Sequence, residues 1–346
     1  MDIFCSKLPK IELHAHINAA VSQKTLQDVS KGRMLPVEEY QIKTSVHDSE
    51  ENRDFQRLEK CFDIFKKIHE VTDNEKAIYK VTYDVIHDFC KDNVKYLELR
   101  TTPRAEISTG MTRRSYVDSV LAAIKDCKTE NIDIDVRLLL SIDRKTNTDI
   151  AQEIVSIASE LQQNSDGIVL GIDFSGDPKI NDARDFIPVL KDAKARGLKL
   201  AVHIAEVQNA PESQQLLLVE PDRIGHGTFL HPHVGGTQEM VDLVKSKNIP
   251  IECCITSNLK SGTVASTDKH HFGFWYRQNH PVIIATDGAG IFNTYLSKEY
   301  GLVAEAFSLT KENVWELSYN SIDYIFANED TKNRLKLKWK EIKGSI

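Results

Sequence analysis

A chain of 346 residues, 41% hydrophobic and 27% charged, has the make-up of an ordinary water-soluble globular protein, at a length that suits one large α/β barrel. A formal net charge of −7 argues against a chain built to wrap nucleic acid. No apolar run reaches membrane-spanning length and the first ten residues lack the apolar core of a signal peptide, so a cytoplasmic protein is expected.

In chain order, "KIELHAH" (10–16) reads as a first strand. Side chains alternate along a strand, so Ile11 and Leu13 face one way while His14 and His16 present two imidazoles together at its end. The polar stretch "KTSVHDSEENRD" (43–54) reads as an exposed loop, and 55–71 as a helix with Leu58, Cys61, Phe62, Phe65 and Ile68 at helical spacing. Further strands are expected at 94–100, 134–141, 168–175, 198–204, 222–227, 249–256 and 281–287, with helices at 116–128, 183–197 (capped by Gly197) and 237–248. The six cysteines show no zinc-ribbon or C-x-x-C spacing, and several lie in apolar runs, so buried reduced thiols are expected. Apolar strands alternating with helices favour parallel pairing, and eight such units imply a (β/α)8 TIM barrel formed by a single domain, 1–346; an open doubly wound sheet is the alternative.

Chemistry in such a barrel collects at the C-terminal ends of the strands. Those ends carry His14 and His16, Thr101, Thr102 and Arg104, Asp173, Ser175 and Gly176, His203 and Glu206, His226, and Thr286 and Asp287. Singly, "IGHG" and "TDG" are turn signals and a His–Glu spacing of three is common. Jointly they point to a metal site. Three histidines and Asp287 are the donor set that borderline-soft Zn²⁺ prefers, and a zinc there would lower the pKa of a water towards neutrality. Glu206 is then the candidate acid and His226 the group that orients the water or accepts its proton. Such equipment suits hydrolytic attack on a carbon bearing a leaving group.

The segments "LPKIELHAHIN", "YLELRTTPR", "GIDFSGDP", "HIAE", "RIGHGTFL", "TSNLKSGT" and "ATDGAGIFNTYLSKEY" resemble the adenosine and AMP deaminase family of the metal-dependent amidohydrolases, from about Leu8 to about Lys340. The H-x-E and P-C-x-x-C zinc site of cytidine-type deaminases is absent. The resemblance implies one zinc per chain, held by His14, His16, His203 and Asp287, with Glu206 protonating purine N1 and His226 beside the attacking water. It further implies that Gly176 contacts purine N3, and that His16, Asn18, His69, Thr101, Thr102, Pro103, Arg104, Asp143 and position 288 surround the rest of a purine nucleotide. A monomer acting on a nucleoside monophosphate, N6-methyl-AMP foremost, is the expected reading. The alternatives are a free-nucleoside adenosine deaminase and a barrel that binds zinc and nucleotide but turns over poorly. The last is raised by two departures from the family pattern: Gly288 stands where the family has a second Asp that bonds purine N7, and Ala19 stands where it has Gly. If position 19 needed a positive φ, Ala19 would strain the backbone near the metal.

Overall fold

The computed structural model describes residues 1–30, 32, 40, 42 and 53–344. Its eight strands run β1 (Lys10–His16), β2 (Val94–Thr101), β3 (Asp135–Asp143), β4 (Val169–Ser175), β5 (Lys199–Ile204), β6 (Arg223–His226), β7 (Ile251–Cys253) and β8 (Val282–Ile284). They pair in parallel in chain order. The seam between the last strand and the first is closed by a parallel bridge from Asp287 to Ala15, in which Asp287 N donates to His14 O at 2.8 Å and His16 N to Asp287 O at 3.0 Å. Three expected metal ligands therefore sit on the stitch that closes the barrel, and the doubly wound alternative is excluded.

Odd-numbered residues of β1 (Ile11, Leu13, Ala15) are fully buried against the surrounding helices, while Lys10, Glu12 and His14 are fully buried on the other side. Apolar contact holds the outer layer; ion pairs hold much of the inner one. Arg100 donates to Asp173 at 2.9 Å and to Glu252, and Arg223 bridges Glu252 at 2.6 Å and Glu98 at 2.5 Å. Each of these groups is desolvated, so each needs its partner: leaving one buried charge unpaired costs about 3–5 kcal/mol.

Local differences from the expected elements have identifiable causes. The expected strand at 249–256 stops at Cys253, and Ile255–Ser261 turns into a helix whose end is Gly262 in the left-handed conformation. The expected helix 183–197 is a 3-10 turn, Ala183–Phe186, followed by an α-helix, Ile187–Ala195, because Pro188 restarts the helix at its first turn. Gly197 does follow the helix end with φ +83°. The expected loop 43–54 lies outside the described residues except for Arg53 and Asp54, which open the helix Arg53–Val71. All six cysteines are free, five of them buried. Among the described residues no helix is long and apolar enough to cross a membrane.

Candidate active site

At the C-terminal mouth of the barrel lies a cavity of about 300 Å³ lined by His16, Asn18, His69, Thr101, Thr102, Asp143, Gly176, His203, Glu206, His226 and Asp287, among others. Of the expected site residues, His14 lies directly beneath it, whereas Pro103, Arg104 and Gly288 are not on its wall.

Four groups converge on its floor. His16 Nε2 is 3.3 Å from His203 Nε2, and Asp287 Oδ1 is 3.7 Å from both His14 Nε2 and His16 Nε2. The other side of each ring is held. His14 Nδ1 faces Glu252 Oε2 at 2.8 Å, and His203 Nδ1 faces Phe174 O at 3.1 Å and Asp173 Oδ1 at 3.2 Å. Those partners only accept, so both rings carry the proton on Nδ1 and turn a bare Nε2 to the cavity floor. His14 Nε2 is buried with no hydrogen-bond partner, an arrangement a bound cation would resolve. Ser257 Oγ donates to Asp287 Oδ2 at 2.6 Å, leaving Oδ1 for the cluster. This is the pattern of metal-ligating histidines tied down from behind, and the donor set fits a divalent metal such as zinc.

Electrostatics follow the same division. Burial, reinforced by Arg100 and the neighbouring imidazoles, pulls the His14 pKa well below its ordinary value. At His203 burial pulls downward too, but the Asp173 carboxylate outweighs it and the net shift is upward. Burial opposes ionisation of Asp173, yet His203 and Arg100 hold its carboxyl well below the usual range. Glu206 goes the other way: burial raises it, with His203 opposing and Asp287 adding, to about 7. A carboxyl that titrates near neutrality can hold a proton at working pH and give it up. Its Oε1 is 3.7 Å from His226 Nε2. His226 and Asp287 both have left-handed backbones, with φ +63° and +60°. Such strain in non-glycine residues gathers where side chains are aimed at chemistry.

Away from the floor, Thr101 Oγ1 meets Tyr116 Oη at 2.6 Å, which Asn18 Nδ2 also approaches at 3.4 Å, and the buried Asn18 Oδ1 has no partner. Arg104 is anchored by Thr72 Oγ1 at 2.7 Å and lies over the Tyr116 ring. Burial, with Arg104 and Lys145 nearby, pushes the His69 pKa down to about 3, so its ring is neutral. Gly176 has φ +106°, and a Cβ there would lie 2.4 Å from Asp143 Oδ1. Only glycine allows that approach.

The two departures meet in space. A Cβ on residue 288 would lie 2.8 Å from Ala19 Cβ and 2.8 Å from Ile291 Cγ1. The backbones are already locked, since Ala19 O accepts from Gly290 N and Ile291 N, both at 3.0 Å. Ala19 sits in the helix Ile17–Ala20 and is not among the residues with positive φ, so the strain expected there is not present. Its methyl takes part of the room that a side chain at 288 would need, and Ile291 takes the rest. The two changed positions pack against each other.

Sequence reasoning missed Glu252 and Arg100 and had Asp173 only as a polar strand end; the three orient His14 and His203, and the available signal was a charged residue inside an otherwise apolar strand. Lys66 and Lys145 line the cavity without having been singled out. Leu58, Cys61, Phe62 and Phe65, expected as a helical stripe, line it as well.

Known proteins share this arrangement of chain. The adenosine deaminase family profile matches residues 9–341. Human N6-methyl-AMP deaminase is 48% identical over 344 residues, covering 99% of this chain and 96% of the relative. Arabidopsis N6-mAMP deaminase is 36% identical over 350 residues, covering 95% of each. The solved Arabidopsis ADAL complexed with IMP is 36% identical, with a TM-score of 0.88 over 100% of this chain and 99% of that one. A match over nearly the whole length, with a His/Asp cluster where a metal cofactor belongs, settles the family: this chain belongs to the adenosine deaminase family and is a hydrolytic deaminase.

Proposed function

We propose that the chain is a zinc-dependent deaminase of purine nucleoside monophosphates that converts N6-methyl-AMP and water to IMP and methylamine. The observation that carries the reading is the convergence of His14 Nε2, His16 Nε2, His203 Nε2 and Asp287 Oδ1 on the cavity that also holds Glu206, a carboxyl titrating at about 7. Zinc held by these four groups supplies a Lewis acid that brings the pKa of a water towards neutrality. Protonated Glu206 gives its proton to purine N1, which draws electrons from C6 and opens that carbon to addition of water; one proton of the water restores Glu206, and the other leaves on the amine as the C6–N bond breaks to give methylamine. His226, 3.7 Å from Glu206, orients the attacking water. Asn18 Oδ1, buried and without a partner, offers an acceptor towards the sugar. The relatives named for N6-methyl-AMP support the substrate, as does the solved relative that holds IMP, the product.

The 5′-phosphate would meet Thr102 and neutral His69, with Lys66 and Lys145 also on the cavity wall, the latter sharing its charge with Asp143 at 3.1 Å. Anion recognition through charge-assisted hydrogen bonds favours the monophosphate over the free nucleoside. The test is steady-state turnover of N6-methyl-AMP and N6-methyladenosine by zinc-loaded protein. A kcat/KM at least about 10²-fold higher for the nucleotide, the scale of two charge-assisted contacts, is expected. Equal values would replace the substrate assignment with a nucleoside deaminase.

A further inference from the structure

The histidine pair His270–His271 and the helix residue Asn258 lie outside every role assigned above, yet all three converge on His226. The polarity of the chain that links them is fixed at its far end. Phe272 N is a backbone amide and can only donate; it donates to His270 Nδ1 at 3.0 Å. The proton of the neutral His270 ring is therefore on Nε2, which lies 3.0 Å from Asn258 Oδ1 and donates to it. That fixes the side-chain amide, whose Nδ2 end faces His226 Nδ1 at 3.4 Å, with Thr263 Oγ1 at 3.1 Å and Thr228 Oγ1 at 3.4 Å also in reach. The NH₂ group has two protons for three acceptors, Thr263 Oγ1 being the nearest, but it offers no lone pair; a proton on His226 Nδ1 would point at it without an acceptor, so the bare Nδ1 is favoured. The second clamp is on the backbone: His271 Nε2 donates to His226 O at 2.8 Å, holding the carbonyl of a residue with φ +63°. His270 is 2% exposed and Asn258 1%, so water does not compete for these bonds.

We infer that His270 and Asn258 are positioning residues that hold His226 with its ring proton on Nε2. His226 then faces the cavity as a hydrogen-bond donor. It points a lone pair of the attacking water at the purine, and it is not a base in the resting site. The inference rests on the deaminase reading for its consequence in turnover, but the ring tautomer itself can be read without any substrate.

The experiment uses zinc-loaded full-length protein labelled with ¹⁵N-histidine. Long-range ¹H–¹⁵N spectra separate protonated from bare ring nitrogens, and His226→Gln identifies the His226 signals by their loss. The expected spectrum places the His226 proton on Nε2. Asn258→Asp keeps the shape and reverses the polarity: a carboxylate draws the proton to Nδ1, and kcat falls by about 10²–10⁴-fold, the scale of a wrong-tautomer histidine, with KM and zinc content little changed. His270→Leu releases the amide and gives mixed tautomers, while His270→Gln, which still donates to Asn258, restores the native signal. A native spectrum with the proton on Nδ1 would overturn the inference, as would an Asn258→Asp protein whose tautomer and kcat match the parent. A parent chain without turnover would remove the deaminase reading and leave the tautomer test standing.

Discussion

The two sides of the cavity are held in opposite ways. On the barrel side, His14, His203, Asp287 and His226 are backed by the buried Glu252, Asp173, Ser257 and Asn258, and Glu252 and Asp173 are tied in turn to the buried Arg100, with Arg223 also on Glu252. On the far side, the helix Arg53–Val71 presents Phe62 and Phe65 half-buried and Lys66 exposed. Fixed dipoles and charges in a dry site carry chemistry because they need no reorganisation when charge moves. A softer wall with solvated cations can choose a ligand by charge and shape without touching the reacting bond. Substitutions on the barrel side should therefore act on kcat and metal retention, those on the helix side on KM.

The largest effect should come from Glu206→Gln, which keeps the shape and removes the proton donor. Turnover should drop by about 10²–10⁴-fold with zinc retained in the isolated protein; an active variant would place the acid elsewhere. The same group sets the pH profile. Glu206 acts in its protonated form, whose fraction falls as pH rises through about 7. In the parent, kcat/KM should fall on the alkaline side with a midpoint near that pH, and this limb should vanish with Glu206.

Next is Glu252→Gln. It loosens His14 Nδ1 and strips the shared charge from Arg100 and Arg223. Zinc affinity should weaken by about 10–100-fold and the melting temperature should fall. Burial disfavours ionised Glu252, but Arg100 and Arg223 more than offset this and its carboxyl is depressed. The stability it contributes is therefore present above its unfolded pKa and lost as pH falls through the lower folded value, so the parent–variant gap in melting temperature should close in acid.

Smaller and more diagnostic is the contact between 19 and 288. Gly288→Asp alone must push aside Ala19 and Ile291, a cost of about 1–3 kcal/mol for overpacking. The double variant Ala19→Gly/Gly288→Asp should recover the part of that stability due to Ala19, with Ile291 still crowded. A double-mutant cycle with no coupling would refute that contact. The smallest effects belong to the rim. Lys66→Met and Lys145→Met should each raise KM for the nucleotide a few-fold, roughly 1 kcal/mol or less for exposed charges, with kcat and the response to free nucleoside unchanged and the difference shrinking in high salt.

The barrel side was the more legible of the two. His14 and His16 declared themselves because a strand has a period of two and both fell on one face at its end, and Asp287 fell at the end of the last strand. Glu252 and Arg100 stood in plain view as charges in apolar strands. Which side of the barrel they face, and which imidazole they meet, is set by register between strands far apart in sequence. The Phe62–Phe65 stripe was read correctly as helical, but a periodicity says only that a face is covered, not whether by core or by substrate. Ala19 and Gly288 looked like two separate lesions. Their contact forms only when the two ends of the barrel are stitched together.

The most direct test of a working site despite Gly288 is multiple-turnover assay of N6-methyl-AMP with the unaltered zinc-loaded chain, following IMP and methylamine together. Equal release of both products beyond one equivalent of enzyme is the expected result. Saturable nucleotide binding with no product would contradict it, and would make the chain a binding protein on a deaminase scaffold.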